Sequence, residues 1–101
     1  MLDFHTHVWP HQPGTPTPTY DQLATMCDVA VAAGIEQLAI TEHVHRFTRV
    51  RDEVLCHWEH DGDAELVAAT EHVLDVEGGA DLDAYVAALV DAKDRGLPLL
   101  V

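Results

Sequence analysis

Met1-Leu2-Asp3-Phe4-His5-Thr6-His7-Val8-Trp9-Pro10-His11 opens the chain, and its reading decides the fold. A short apolar run, Leu2 to Thr6, predicts a buried strand that ends in a His-x-His pair. Alternate residues of an extended segment point the same way, so His5 and His7 face one point, as two ligands of one metal ion must. A second strand is predicted at Gln37 to Thr41, with Leu38 and Ile40 on one face, and it closes on Glu42-His43. If the two strands are parallel neighbours, His43 arrives at the same end of the sheet as His7.

The segments between and after these strands are helical or loop-like. His7 to Thr19 holds four of the five prolines and must be a loop. Thr19 followed by Gln22 reads as a capping box. From Tyr20 the apolar positions Leu23, Met26, Cys27, Val29, Ala30 and Ala33 keep helical spacing up to Gly34, a helix stop. His43 to Val50 reads as a loop, and Glu53 to Asp63 is polar around Trp58. Leu66, Val67, Thr70, Val73 and Leu74 predict a helix that Gly78-Gly79 breaks. Asp81 caps a last helix carrying Leu82, Tyr85, Val86, Leu89 and Val90, which Gly96 ends before a third strand begins at Leu97. Strands separated by helices imply an α/β fold with parallel pairing and right-handed crossovers. Ligands of such sheets bind beyond the carboxyl ends of the strands, where His7 and His43 are placed.

Composition narrows the function classes. The 101 residues are enough for one small domain, and 48% apolar content supports a core. With 18 acidic residues against 5 basic ones the formal charge is −13. This argues against nucleic acid or an anionic membrane as partner, since both reward clustered Lys and Arg. No apolar run approaches the roughly 20 residues of a membrane span. Cys27 and Cys56 are unrelated in spacing, so no disulfide and a reducing, cytoplasmic setting are expected. Because the chain stops within its third strand, it is expected to be the N-terminal piece of a larger domain, with a complementing chain or oligomer covering the open sheet edge.

Asp3-Phe4-His5-Thr6-His7, joined to Ala39-Ile40-Thr41-Glu42-His43 after a helix ending at Gly34, resembles the opening of the PHP (polymerase and histidinol phosphatase) superfamily. Trp9-Pro10-His11 and Thr41 to Phe47 are most similar to the histidinol-phosphatase branch. The resemblance implies that residues 1–101 form part of a distorted (β/α)7 barrel, cut in its third strand. It also implies up to three divalent metal ions, Zn, Mn or Fe, and hydrolysis of a phosphate monoester. A small phosphorylated metabolite is the implied substrate, histidinol phosphate of histidine biosynthesis first. His5, His7 and His43 match metal-ligand positions, and His11 resembles the next histidine. Glu42 is expected to orient an imidazole or take part in catalysis, as is Asp3 in an orienting role. Arg46, in the local cluster with Arg49 and Arg51, is expected to meet the phosphate. His45 is a further candidate, while His57 and His60 read as surface histidines and His72 as surface or partly buried. The family's later ligands, a glutamate after the third strand and an Asp-x-His motif, are not in these 101 residues. The alternatives are another PHP-type phosphoesterase acting on a nucleotide or sugar phosphate, or a non-catalytic fragment.

Overall fold

The computed structural model of the chain describes residues 2–9, 16–49 and 64–101, the side chains of Asp3 and Phe4 apart. Among these residues the fold is α/β, with three helices and a small open parallel sheet of three strands. The strands are β1 (Leu2–Thr6), β2 (Gln37–Ile40) and β3 (Leu99–Leu100). The helices are α1 (Tyr20–Ala32), α2 (Ala64–Glu77) and α3 (Leu82–Asp94). The element order follows the sequence expectation, with one addition. Val44–Arg46 forms a turn of 3-10 helix where a plain loop was expected.

The chain divides into two compact units. The first comprises Met1–Pro10, Thr17–Glu42 and Asp83–Val101, and the second His11–Pro16 and His43–Leu82.

In the first unit the strands lie side by side in chain order, β1-β2-β3, and both pairings are parallel. Leu38 is paired with Leu99, and the two side chains are almost wholly buried. Leu23, Cys27 and Ala30 of α1 and Tyr85, Leu89 and Ala92 of α3 complete this core, spaced three and four apart as one helix face requires. The boundaries of α1 are local chemistry. Thr19 is extended, and its hydroxyl accepts the Gln22 N–H at 3.2 Å. At the other end Gly34 has φ +89°, a region costly for side-chain-bearing residues. The amides of Gly34 and Ile35 turn back onto the carbonyls of Val31 and Ala30, the paired closure of a Schellman motif. Gly96, with φ +105°, ends α3 the same way, through Lys93 and Ala92.

The β1–β2 register holds a feature that alternation alone does not announce. Asp3 is opposite Leu38 and Thr6 opposite Ile40, so β1 spends three steps where β2 spends two. The extra residue makes a bulge immediately around His5, and a bulge re-aims the side chains beside it.

In the second unit the 3-10 turn and α2 pack together. Phe47 and Ala80 make an isolated parallel bridge, with the Ala80 amide on the Arg46 carbonyl at 2.9 Å and the Thr48 amide on the Ala80 carbonyl at 3.2 Å. Among the described residues of this unit, Phe47, Leu74 and Ala80 are the buried apolar ones. No helix among the described residues is long and apolar enough to cross a membrane.

Candidate functional site

β1 and β2 end next to each other, and their last residues build a compact polar node. The Thr41 amide donates to the Thr6 carbonyl at 2.7 Å, which continues the ladder past the strand ends. The Thr41 hydroxyl reaches the same carbonyl at 3.3 Å. His7 follows Thr6 directly, and its Nδ1 lies 2.5 Å from the Thr41 carbonyl oxygen. A carbonyl only accepts, so Nδ1 carries the proton and donates. Neutral His7 therefore presents its Nε2 lone pair on the opposite side of the ring.

That lone pair points at His5. The two Nε2 atoms are 3.2 Å apart, and the rings meet edge to face with centroids at 5.0 Å. With His7 in the Nδ1–H form, the His5 Nε2–H donates across this gap. The same spacing suits a shared cation. Two ligand nitrogens each about 2.0–2.1 Å from one ion, as in zinc sites, stand about 3.2 Å apart when they subtend about 100°. His5 is exposed and His7 half-buried, so the first gives access and the second is fixed by the fold. Imidazole donors of this kind suit Zn, Mn or Fe without choosing among them.

Glu42 organises the node. Its Oε1 accepts the amide protons of Val8 at 2.5 Å and Trp9 at 3.1 Å, so one carboxylate oxygen shapes the chain just after His7. Its other oxygen lies 3.6 Å from His7 Nδ1, with almost no surface on the carboxylate side chain. That oxygen has no hydrogen bond among the described residues. A buried carboxylate beside the distal nitrogen of a histidine is the usual way to fix the tautomer and direction of a metal-binding imidazole. Trp9 and Tyr85 pack behind it, with ring centroids 5.1 Å apart. Burial, and then the negative charge of Glu42, pushes the Tyr85 phenol well above its ordinary value, so the phenol stays protonated.

The other expected residues fall as follows. His43 is the next residue after Glu42 but belongs to the second unit, where its ring stacks on His45 with centroids at 5.3 Å. Among the described residues no group of three or more His, Cys, Asp or Glu is arranged to hold a metal ion. His5 and His7 are thus brought together as a pair, and the structure does not add His43 to them as a third ligand. His11, Arg51, Cys56, His57 and His60 lie outside the described residues, as does the Asp3 side chain. His72 is exposed, as expected. Cys27 is a buried free thiol whose pKa is raised by that burial and then by Asp28.

Arg46 was expected to face a phosphate, and the structure gives it another neighbour. Its guanidinium is fully buried, with Nη2 3.1 Å from Glu77 Oε1. A guanidinium without solvent needs a carboxylate to hold its charge. His45 shares the same acid, at 3.6 Å from Glu77 Oε2. Burial lowers its pKa, Glu77 opposes the shift, and nearby His43 and Arg46 reinforce it. The role of Glu77, thirty-one positions along the chain, is a functionally silent acid in the sequence; only the packing of α2 on the turn reveals it. Arg49 is exposed.

Comparison with family models, with curated proteins and with solved structures found no match for the chain.

Proposed function

We propose that the chain carries the amino-terminal part of a metal-dependent phosphoesterase site of the PHP type, with His5 and His7 as its first two metal ligands. One observation carries this reading: two imidazole Nε2 atoms 3.2 Å apart, with the fixed ring donating Nδ1–H to the Thr41 carbonyl. His43, next in sequence to the acid that orients His7, and His11 are further ligands in this reading. Glu42 acts through His7 by holding its direction and protonation. Arg46, engaged by Glu77, serves the fold of its own unit here.

The sheet supports the proposed barrel. Strands in chain order with right-handed crossovers place their connecting helices on one face. That is the arrangement of a singly wound (β/α) barrel; doubly wound sheets reverse strand order at a switch point. The node also stands at the carboxyl ends of β1 and β2, where ligands of parallel sheets bind.

A bound divalent cation would supply a nucleophile from water at neutral pH and stabilise charge on phosphoryl oxygens. The chain's own contribution is to keep the His5 and His7 Nε2 atoms converged and to shape residues 8 and 9 around Glu42. Histidinol phosphate is the first substrate to test, ahead of nucleotide and sugar phosphates. Elemental analysis of purified protein, beside a His5→Ala/His7→Ala variant, tests the reading. Stoichiometric Zn, Mn or Fe that disappears in the variant is the expected result. Equal metal content in both proteins overturns the ligand assignment, and no metal in a folded protein favours the non-catalytic alternative.

A further inference from the structure

The buried stripe of α3 runs down the sheet. β2 and β3 are parallel, so the helix between them runs against both, and its first turn stands at the carboxyl ends of the strands. Tyr85 lies in that first turn, with Leu89 and Ala92 after it on the same buried face. At 1.5 Å per residue, Leu89 is about 6 Å further from the strand ends. The one polar side chain of this stripe is therefore delivered to the level of Thr41 and Glu42, and the apolar ones lie below it.

The ring and the hydroxyl of Tyr85 meet different parts of the node. The ring packs on Trp9, with centroids 5.1 Å apart and planes at 39°. Trp9 is also the residue whose amide donates to Glu42 Oε1 at 3.1 Å, so ring and carboxylate are fastened to one residue. The hydroxyl oxygen is buried, and the Glu42 side chain is 1% exposed. The Glu42 charge is near enough to add to the effect of burial on the phenol. Between groups shielded from water a charge and a dipole interact strongly, and the interaction is mutual. A phenol that keeps its proton turns its O–H dipole toward the anion.

Glu42 needs such a constraint. Both of its main-chain donors, the amides of Val8 and Trp9, are on Oε1. The last torsion of a glutamate is broad and roughly two-fold, so pinning one oxygen leaves the carboxylate plane free to swing about it. The second oxygen, 3.6 Å from His7 Nδ1, is the one that bears on the imidazole.

We propose that Tyr85 is a positioning residue: its hydroxyl holds the second Glu42 oxygen against His7, and through it the ring that meets His5. The consequence for a bound ion rests on the assignment of His5 and His7 as ligands; the consequence for His7 itself does not.

Two readouts on the full chain keep these apart. In metal-free protein, NMR follows solvent exchange of the His7 Nδ1 proton. With zinc, competition against a chelator gives the affinity. Both are measured for wild type, Tyr85→Phe, Leu89→Val, Glu42→Gln and the Tyr85→Phe/Glu42→Gln pair. Tyr85→Phe keeps the ring on Trp9 and removes only the hydroxyl, whereas Leu89→Val disturbs the same helix below the node. Tyr85→Phe should speed the exchange and weaken zinc binding, each about 10-fold, the lower end of the range for groups that orient ligands. In the Glu42→Gln background the same substitution should change either by less than about 2-fold, because the charge it acts on is gone. Leu89→Val should move neither. An unchanged His7 exchange rate in Tyr85→Phe overturns the proposal. So does an equal loss in both backgrounds, which would make Tyr85 a packing residue only. Zinc that binds as tightly after His5→Ala/His7→Ala would overturn the ligand assignment alone, with the exchange rates still deciding the role of Tyr85.

Discussion

Glu42 and Glu77 each stand 3.6 Å from a histidine, one in each unit, and the two acids are put to different uses. Glu42 spends one oxygen on the amides of Val8 and Trp9 and lies beside a ring whose outer nitrogen meets a second imidazole. Glu77 faces a buried guanidinium, and its charge is answered within the unit. The difference lies in what remains unsatisfied by the fold. At Glu77 cation and acid are matched, and the result is a fastened 3-10 turn. At Glu42 the acid holds backbone and ring in place, and coordinating capacity is left on the surface.

Breaking the Glu77 pair should produce the largest loss of stability. Arg46→Ala leaves a mostly buried carboxylate facing a cavity, and unfolding by urea should show a loss of about 3 kcal/mol. Arg46→Met with Glu77→Leu should recover most of it, because no charge is then stranded. If Arg46→Ala costs nothing, the pair is solvated and the contrast with Glu42 collapses.

Glu42→Ala should come next. Two amides lose their acceptor, and about 2–3 kcal/mol of stability goes with them. Glu42→Gln sharpens the comparison, since a carbonyl oxygen remains for Val8 and Trp9 while the charge beside His7 is gone. Its stability should change by about 1 kcal/mol, whereas metal affinity, by competition with a chelator, should fall about 10–100-fold. An unchanged affinity would reduce Glu42 to a backbone clamp, the counterpart of Glu77.

Gly78→Ala tests the second unit by space alone. A methyl group there would run into the Leu74 carbonyl oxygen and press on the His45 carbonyl. Thermal unfolding should show a loss of about 1–3 kcal/mol, with metal binding at His5 and His7 unmoved.

The smallest effect should be at alkaline pH, in the first unit. Burial raises the pKa of Cys27 and Tyr85 in the fold, so their neutral forms are favoured there, and the unfolded chain releases those protons first. The stabilisation is whole below about pH 9 for the thiol and about pH 10 for the phenol. It is lost as pH rises through the folded values. Cys27→Ala should flatten the first part of that decline in a pH series of urea titrations.

The contrast between the two acids was half visible in the sequence. Local signals spoke clearly: Thr19 with Gln22, Gly34 and the spacing of Leu23, Cys27 and Ala30 marked α1 and its limits, Gly96 marked the end of α3, and β1 falls at Leu2–Thr6 as expected. His-x-His at a strand end singled out the pair that does converge. What escaped was set by contacts between distant residues. The Thr41 carbonyl as partner of His7 depends on a register with a bulge in β1, and strict alternation does not encode a bulge. Arg46 looked like a free cation because its partner is far along the chain, and a basic cluster in sequence carries no record of burial. Glu42 was expected beside an imidazole, and its carboxylate does lie 3.6 Å from His7 Nδ1; its hold on the Val8 and Trp9 amides, residues far from it in sequence, was not legible.

Trp9 gives this arrangement an optical readout. Its amide is tied to the carboxylate that steadies His7, and its indole is buried against Tyr85. Anything that shifts the imidazole pair shifts the surroundings of this one chromophore. In a Trp58→Phe background, which removes the second tryptophan of the chain, the emission of Trp9 alone would follow ion titration at the histidines in real time, without label or substrate.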